Sequence, residues 1–241
     1  MSREKFSLIL KSYREIAPQV RHFVFERADG QAFDFVPGQF INLFFEFEGA
    51  MVQRSYSLAN NPGGKTLELA MSYITSGKAS QYFFNMQVGA TIEASGPFGR
   101  LTLREETPKR YVLVATGTGV TPYLSMRDEL LRRMEATGTD VVVLLGSRTP
   151  NELLYRDEFL AFAEKAPRFQ FIGCCSRTEP DQPYLRSGYV QDQFDILNLH
   201  PESDMIFLCG NPNMIDAAYV KLTSMGFTAA NVRREKYVSS N

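Results

Sequence analysis

The residues with the clearest chemical promise are glycines and hydroxyls that follow a valine-rich run. Val112-Leu113-Val114-Ala115-Thr116 leads into Gly117-Thr118-Gly119-Val120-Thr121-Pro122 and then into Tyr123-Leu124-Ser125-Met126. This reads as a buried strand, a tight turn and a helix whose first turn leaves backbone N–H groups free. Glycines in such a turn let a ligand approach the backbone, and a helix N-terminus favours its phosphate. The dinucleotide fingerprint would place a third glycine where Pro122 stands, so the match to that rule is partial. Proline suits the first helical turn. The same run also serves plain α/β architecture.

Two earlier stretches carry similar chemistry. In Arg54-Ser55-Tyr56-Ser57-Leu58, strand alternation places Arg54, Tyr56 and Leu58 on one face and the serines on the other. A fixed cation beside an aromatic ring can hold a phosphate while the ring stacks on a flat ligand. An ordinary exposed strand face would read the same way. Gly77-Lys78-Ala79-Ser80 opens a helix with free N–H groups, an ammonium and a hydroxyl, which together suit an anion. Helix capping alone accounts equally well for Ser80. Farther on, Ser147-Arg148 and Ser176-Arg177 each follow a strand-like run, and arginine recurring at strand ends is a good phosphate receptor.

The elements that must position these residues fall into two kinds. From Lys5 to about Thr102 there are short strands separated by turns: Phe6–Leu10, Val20–Glu26, Gln39 through Phe47, Val52–Ala59, Thr66–Tyr73 and Thr91–Ala94. One helix, near Ser80–Met86, interrupts them, and Gly96-Pro97-Phe98-Gly99 closes the region. Strands at this spacing predict a small antiparallel β-barrel. After Tyr111 strands and helices alternate. Strands are expected at 111–116, 140–145, 169–174, 205–209 and 231–238, and helices near 121–136, 152–165, 190–197 and 211–225. Such alternation predicts a parallel sheet covered on both faces, with ligands at the carboxyl ends of its strands. The charged, proline-containing segment Glu105–Arg110 sets the expected boundary, giving a barrel domain over 1–107 and an α/β domain over 108–241.

Composition narrows the function. The 241 residues carry a formal net charge of −1, and no basic run interleaves with aromatics, which gives nucleic acid or an anionic membrane no global attraction. The apolar run Phe6–Leu10 is too short for a signal-peptide core or a membrane span. Three cysteines, Cys174, Cys175 and Cys209, cannot build a disulfide framework or a four-cysteine metal site. The expectation is a cytoplasmic, monomeric protein with no metal of its own.

Taken together, the segments at Arg54–Ser57, Gly77–Ser80, Gly96–Gly99, Gly117–Pro122 and Cys209-Gly210-Asn211-Pro212 resemble the ferredoxin–NADP reductase family, in its bacterial form without a fused iron–sulfur domain. Their order and spacing cover nearly the whole chain. The resemblance implies a flavin-binding antiparallel barrel followed by a pyridine-nucleotide domain, with the flavin between them. By that resemblance FAD contacts Arg54, Tyr56, Ser57, Met71, Gly77, Lys78, Ala79, Ser80 and Thr121, with Arg54 on phosphate and Tyr56 against the isoalloxazine. NADP is implied at Gly117, Thr118, Gly119, Thr121 and Pro122, with Cys209 and Gly210 near the nicotinamide. Cys209 is equally explained as a small buried residue ending a strand.

Glu235-Lys236-Tyr237-Val238 resembles the family's terminal segment, which implies that Tyr237 covers the second flavin face. A terminal strand aromatic packed in the core would also account for it. Ser57, Cys209, Glu235 and Tyr237 are the implied catalytic set. The three residues past Val238 either cover the adenine of the flavin or are disordered. Ser176 and Arg177 stand where NADP-preferring relatives grip the ribose phosphate, with Arg186, a stacking Tyr189 and Arg148 assisting. No acidic residue occupies Gly146–Thr149, where an NAD-type ribose acceptor is expected, so NADPH is expected over NADH.

The expected activity is electron transfer between NADPH and a one-electron carrier, ferredoxin or flavodoxin. The alternatives are the reductase component of a multicomponent oxygenase, a free-flavin reductase, and a non-enzymatic flavin-binding relay or regulatory subunit.

Overall fold

The computed structural model describes residues 4–237. They divide into two compact units, residues 4–103 with Thr121–Met126, and residues 104–120 with 127–237. The end of the last expected strand, at Val238, and the three residues beyond it lie outside the described residues.

The first unit is built on six antiparallel strands: β1 (Lys5–Ala17), β2 (Val20–Arg27), β3 (Phe40–Phe47), β4 (Ala50–Ser57), β5 (Thr66–Ser72) and β6 (Thr91–Phe98). Their order is β4-β3-β6-β1-β2-β5. A bridge between Leu58 and Leu69 joins the two ends of that order, closing the sheet as the alternating pattern requires. Alternate side chains fill the interior. Leu8, Leu10, Phe23, Phe25, Ile41 and Leu43 are fully buried there, and Phe83 of helix α1 (Lys78–Asn85) packs into the same core.

Strand β1 is longer than its apolar run. Its second half is mostly exposed and is held by pairing with β2, with register shifts between Leu10 and Ser12 and between Glu15 and Ala17. Ladder hydrogen bonds rather than burial extend it, so hydropathy marks only its start.

The second unit contains β7 (Arg110–Thr116), β8 (Asp140–Ser147), β9 (Phe169–Cys175), β10 (Leu185–Ser187), β11 (Asp204–Gly210) and β12 (Val232–Lys236). They form one parallel sheet in the order β10-β9-β8-β7-β11-β12. The central strands are continuous apolar runs, and Tyr111–Ala115 is wholly buried, as expected where helices cover both faces. Strand β10 is a three-residue edge with no hydrophobic period of its own, and the sequence pattern misses it.

The helices are α2 (Thr121–Ser125), α3 (Arg127–Thr137), α4 (Arg156–Lys165), α5 (Gln193–Ile196) and α6 (Pro212–Ser224). The single helix expected from Thr121 to Ala136 is therefore two. The Ser125 hydroxyl donates to the Pro122 carbonyl at 2.7 Å and accepts from the Gly38 N–H at 2.9 Å. Those bonds tie the short α2 segment to the first unit. The helix expected from Glu152 begins at Arg156 instead, because Pro150–Glu152 forms a separate 3-10 turn and Tyr155 adopts a left-handed conformation (φ 56°).

Candidate flavin and nicotinamide-nucleotide site

In the first unit, β4 presents Arg54 and Tyr56, both half-buried, opposite Leu43 and Ile41 of β3. Arg54 Nη1 donates to the Gln53 carbonyl at 2.8 Å. The Tyr56 ring meets Phe83 edge-on at 5.8 Å. Burial raises the Tyr56 phenol well above its usual range, with the Arg54 charge opposing. Ser57, at the strand end, and Met71 of β5 are both buried.

Helix α1 starts from Gly77, whose backbone is extended, and no side chain caps it. Its first backbone bond runs from the Gln81 N–H to the Gly77 carbonyl, so Lys78, Ala79 and Ser80 have N–H groups without an intrahelical acceptor. The first turn carries no acid. The Ser80 hydroxyl is directed elsewhere: it accepts from the Ile74 N–H at 2.7 Å and donates to the Ser72 carbonyl. The buried Thr121 hydroxyl has no hydrogen-bond partner among the described residues, an arrangement costly in an apolar interior unless a ligand satisfies it. Free N–H groups and a lysine at the start of α1 fit a phosphate-bearing flavin nucleotide.

In the second unit, Gly117–Val120 forms a 3-10 turn at the end of β7. It interlocks with the end of β11. A Cβ added at Gly119 would stand 2.6 Å from both the Cys209 carbonyl carbon and Gly210 Cα, and one at Gly210 (φ 120°) would stand 2.5 Å from the Thr116 carbonyl oxygen. The Asn211 N–H donates to Thr116 Oγ1 at 3.1 Å. The two strand ends thus form a cradle packed backbone to backbone, with no room for a side chain at either glycine. Helix α6 leaves it with its own cap, the Asn211 side chain accepting from the Asn213 N–H.

Cys209, Glu235 and Tyr237 are brought together here. Cys209 and Glu235 are register partners of β11 and β12, and the Tyr237 N–H donates to the Gly210 carbonyl at 2.8 Å. Burial raises the Cys209 thiol far above its usual value; the Glu235 charge adds to this, and a side-chain hydrogen bond from Tyr237 partly offsets it. Burial also raises Glu235, to about 7. Ser57 belongs to the first unit.

The phosphate candidates cluster at the ends of β8 and β9. The Ser176 N–H donates to the Ser147 carbonyl at 3.1 Å and the Arg177 N–H to the Arg148 carbonyl at 2.9 Å. The Arg177 guanidinium is exposed and has no ion-pair partner among the described residues. Arg186 on β10 donates to the Pro183 and Leu185 carbonyls, and Tyr189 stands 62% exposed just beyond. Arg148 is paired with Glu152, a residue that sequence reasoning passed over. Its signal was legible: Thr149-Pro150-Asn151-Glu152 is a capping-box sequence, and its glutamate returns to the strand end.

The chain matches the oxidoreductase FAD-binding domain family over residues 7–103 and the oxidoreductase NAD-binding domain family over residues 113–219. It is 34% identical to ferredoxin–NADP reductase B of Sorangium cellulosum, over 97% of this chain and 98% of that protein. The chain belongs to the ferredoxin–NADP reductase family. This FAD- and NAD(P)-binding reductase is also 33% identical to the propane 2-monooxygenase reductase component of Mycolicibacterium goodii, over 83% of its own length but 56% of that relative's. Among solved structures, a ferredoxin–NADP+ reductase from Neisseria gonorrhoeae with bound FAD and NADP superposes with a TM-score of 0.84, 26% identity, and coverage of 96% and 98% of the two chains. An Amycolatopsis cytochrome P450 reductase gives a TM-score of 0.87 at 27% identity, over 98% of this reductase and 71% of that chain. No helix among the described residues of the reductase is long and apolar enough to cross a membrane.

Proposed function

We propose that this reductase passes electrons between NADPH and a ferredoxin or flavodoxin, acting as a cytoplasmic monomer. The observation that carries this reading is the 34% identity to a ferredoxin–NADP reductase spread along nearly the full length of both chains. FAD, when bound, supplies the exchange between a two-electron hydride donor and one-electron carriers. The protein's own residues bind and orient. Arg54 and the N–H groups at the start of α1 receive the flavin's phosphates, and Tyr56 packs against its ring system. The Thr121 hydroxyl would be available to the flavin as a hydrogen-bonding group.

The cradle of Gly119, Cys209 and Gly210 receives the nicotinamide end of the dinucleotide. Ser176 and Arg177 receive the ribose phosphate, with Arg186 and Tyr189 flanking. Tyr237 would cover the flavin face that nicotinamide must reach and would have to shift before transfer. Glu235, raised to about 7 by burial, can stand protonated beside Cys209 without leaving an uncompensated charge.

The testing experiment is anaerobic visible absorption of the purified protein, titrated separately with NADPH and NADH and then with ferredoxin or flavodoxin. Rapid bleaching by NADPH, slower bleaching by NADH and onward reduction of the carrier are expected. A protein that takes up no FAD would overturn the reading. A flavin spectrum unmoved by either nucleotide would indicate a relay or regulatory subunit. Reduction that passes only to free flavin would indicate a flavin reductase.

The similarity to a monooxygenase reductase component favours a second reading, service to an oxygenase. Reduction of an oxygenase component in place of ferredoxin or flavodoxin would establish it.

A further inference from the structure

The end of β8 holds an arrangement that a simple phosphate pocket does not need. Arg148 Nη2 donates to Glu152 Oε1 at 2.6 Å and Arg148 Nε to Oε2 at 3.2 Å. Oε2 also accepts the backbone N–H groups of Arg148 at 3.0 Å and Thr149 at 3.4 Å. Four donors therefore converge on one carboxylate at the carboxyl end of the second strand. Burial alone would raise the Glu152 carboxyl, but the Arg148 hydrogen bonds and charge outweigh it and hold the carboxyl below its usual range. Arg177, whose backbone is bonded to Arg148, keeps an uncommitted guanidinium. The crevice thus presents one free arginine, one occupied arginine and one anion.

These charges act oppositely on the two nicotinamide nucleotides. A ribose phosphate must displace Glu152 from the Arg148 fork, exchanging one charge-assisted pair for another. A plain ribose diol meets a carboxylate that can accept its hydroxyls while keeping its backbone donors. We propose that Glu152 is a specificity-determining residue that holds Arg148 away from the ribose phosphate and so narrows this reductase's preference for NADPH over NADH. The inference rests on the reading of Ser176 and Arg177 as the phosphate pocket.

Glu152→Gln separates charge from shape, because the amide oxygen can still accept from the loop N–H groups. The measurement is isothermal titration of the FAD-loaded, full-length protein with two probes, adenosine bearing phosphates at both the 2′ and 5′ positions, and 5′-AMP. E152Q should bind the bisphosphate about threefold to tenfold tighter, with 5′-AMP altered less than about twofold. In an Arg148→Ala background the same change should have no effect on the bisphosphate.

An unchanged ratio of the two affinities in E152Q, while Arg177→Ala abolishes discrimination, would overturn the role of Glu152 and leave the pocket standing. Discrimination unaffected by R177A and R148A would instead overturn the pocket itself. An E152Q effect that persists without Arg148 would overturn the proposed route through that arginine. Should E152Q fail to fold, Glu152→Ser, which retains a short acceptor for the Thr149 N–H, replaces it with the same expectations.

Discussion

Cys209 and Glu235 face each other as register partners on adjacent parallel strands, and both are driven toward their neutral forms by burial. A carboxyl that holds its proton to about pH 7 beside a fully buried thiol makes the last strand sensitive to pH. The folded pKa of Glu235 lies above its ordinary value of 4.5. Between about pH 4.5 and pH 7 the folded state therefore keeps a proton that the unfolded state has lost. Stability should fall as pH rises through that window, by about 3 kcal/mol, and stay level above it. Glu235→Gln should remove this slope. Urea unfolding of both proteins at pH 5 and pH 7.5 checks it; parallel slopes would show that Glu235 ionises normally.

The tight interlock of β7 and β11 predicts a strong response to one methyl group. Gly119→Ala places a carbon against the backbone of Cys209 and Gly210, which cannot yield as a flexible side chain would. The expected loss is about 1–3 kcal/mol of stability, accompanied by weaker nucleotide binding. Thermal unfolding and NADPH titration read the two effects separately.

Thr121 offers the opposite signature. Its buried hydroxyl has no partner among the described residues, so Thr121→Val should leave the flavin-free protein as stable or more stable, by up to about 1 kcal/mol. Flavin affinity should fall. Equal FAD retention by the two proteins on dialysis would remove Thr121 from the flavin site.

If Tyr237 must move aside for nicotinamide, its population in the covering position works against nucleotide binding. Tyr237→Ser should then tighten NADP+ binding, by about tenfold, and alter the rate of hydride transfer measured by stopped flow. No change in either would assign the ring to packing alone.

The fold was legible where one physical signal dominates. The valine-rich run at β7 and the strand–helix alternation after it specify a parallel sheet because both faces of each strand must be apolar. The six barrel strands were likewise visible from alternation and turns. What escaped depends on partners distant in sequence. The polar half of β1 is held by β2, β10 is held only by β9, and the break at Met126 follows from Ser125 bonding Gly38.

At the site, the cradle glycines and Cys209 could be found because backbone approach demands small residues. The ion pair at Arg148 is not marked by the strand-end residues 146–149, because its carboxylate lies in the following 3-10 turn and folds back. The sequence leaves Ser80 open between anion binding and helix capping; its hydroxyl instead bonds the preceding loop.

The bond from the Asn211 N–H to Thr116 Oγ1 joins positions 95 residues apart. Contacts so distant in sequence form late in folding, since chain closure precedes any reward. As the protein leaves the ribosome, the β7 half of its nucleotide cradle is made long before the β11 half. A nascent chain that stops short of β11 has strands and helices but only half of that cradle. Under the proposed assignment of this cradle to nicotinamide dinucleotide, its capture would report that synthesis has passed β11 and that the two strand ends have met. In a cell, ligand occupancy would then count chains extended past β11 rather than shorter ones.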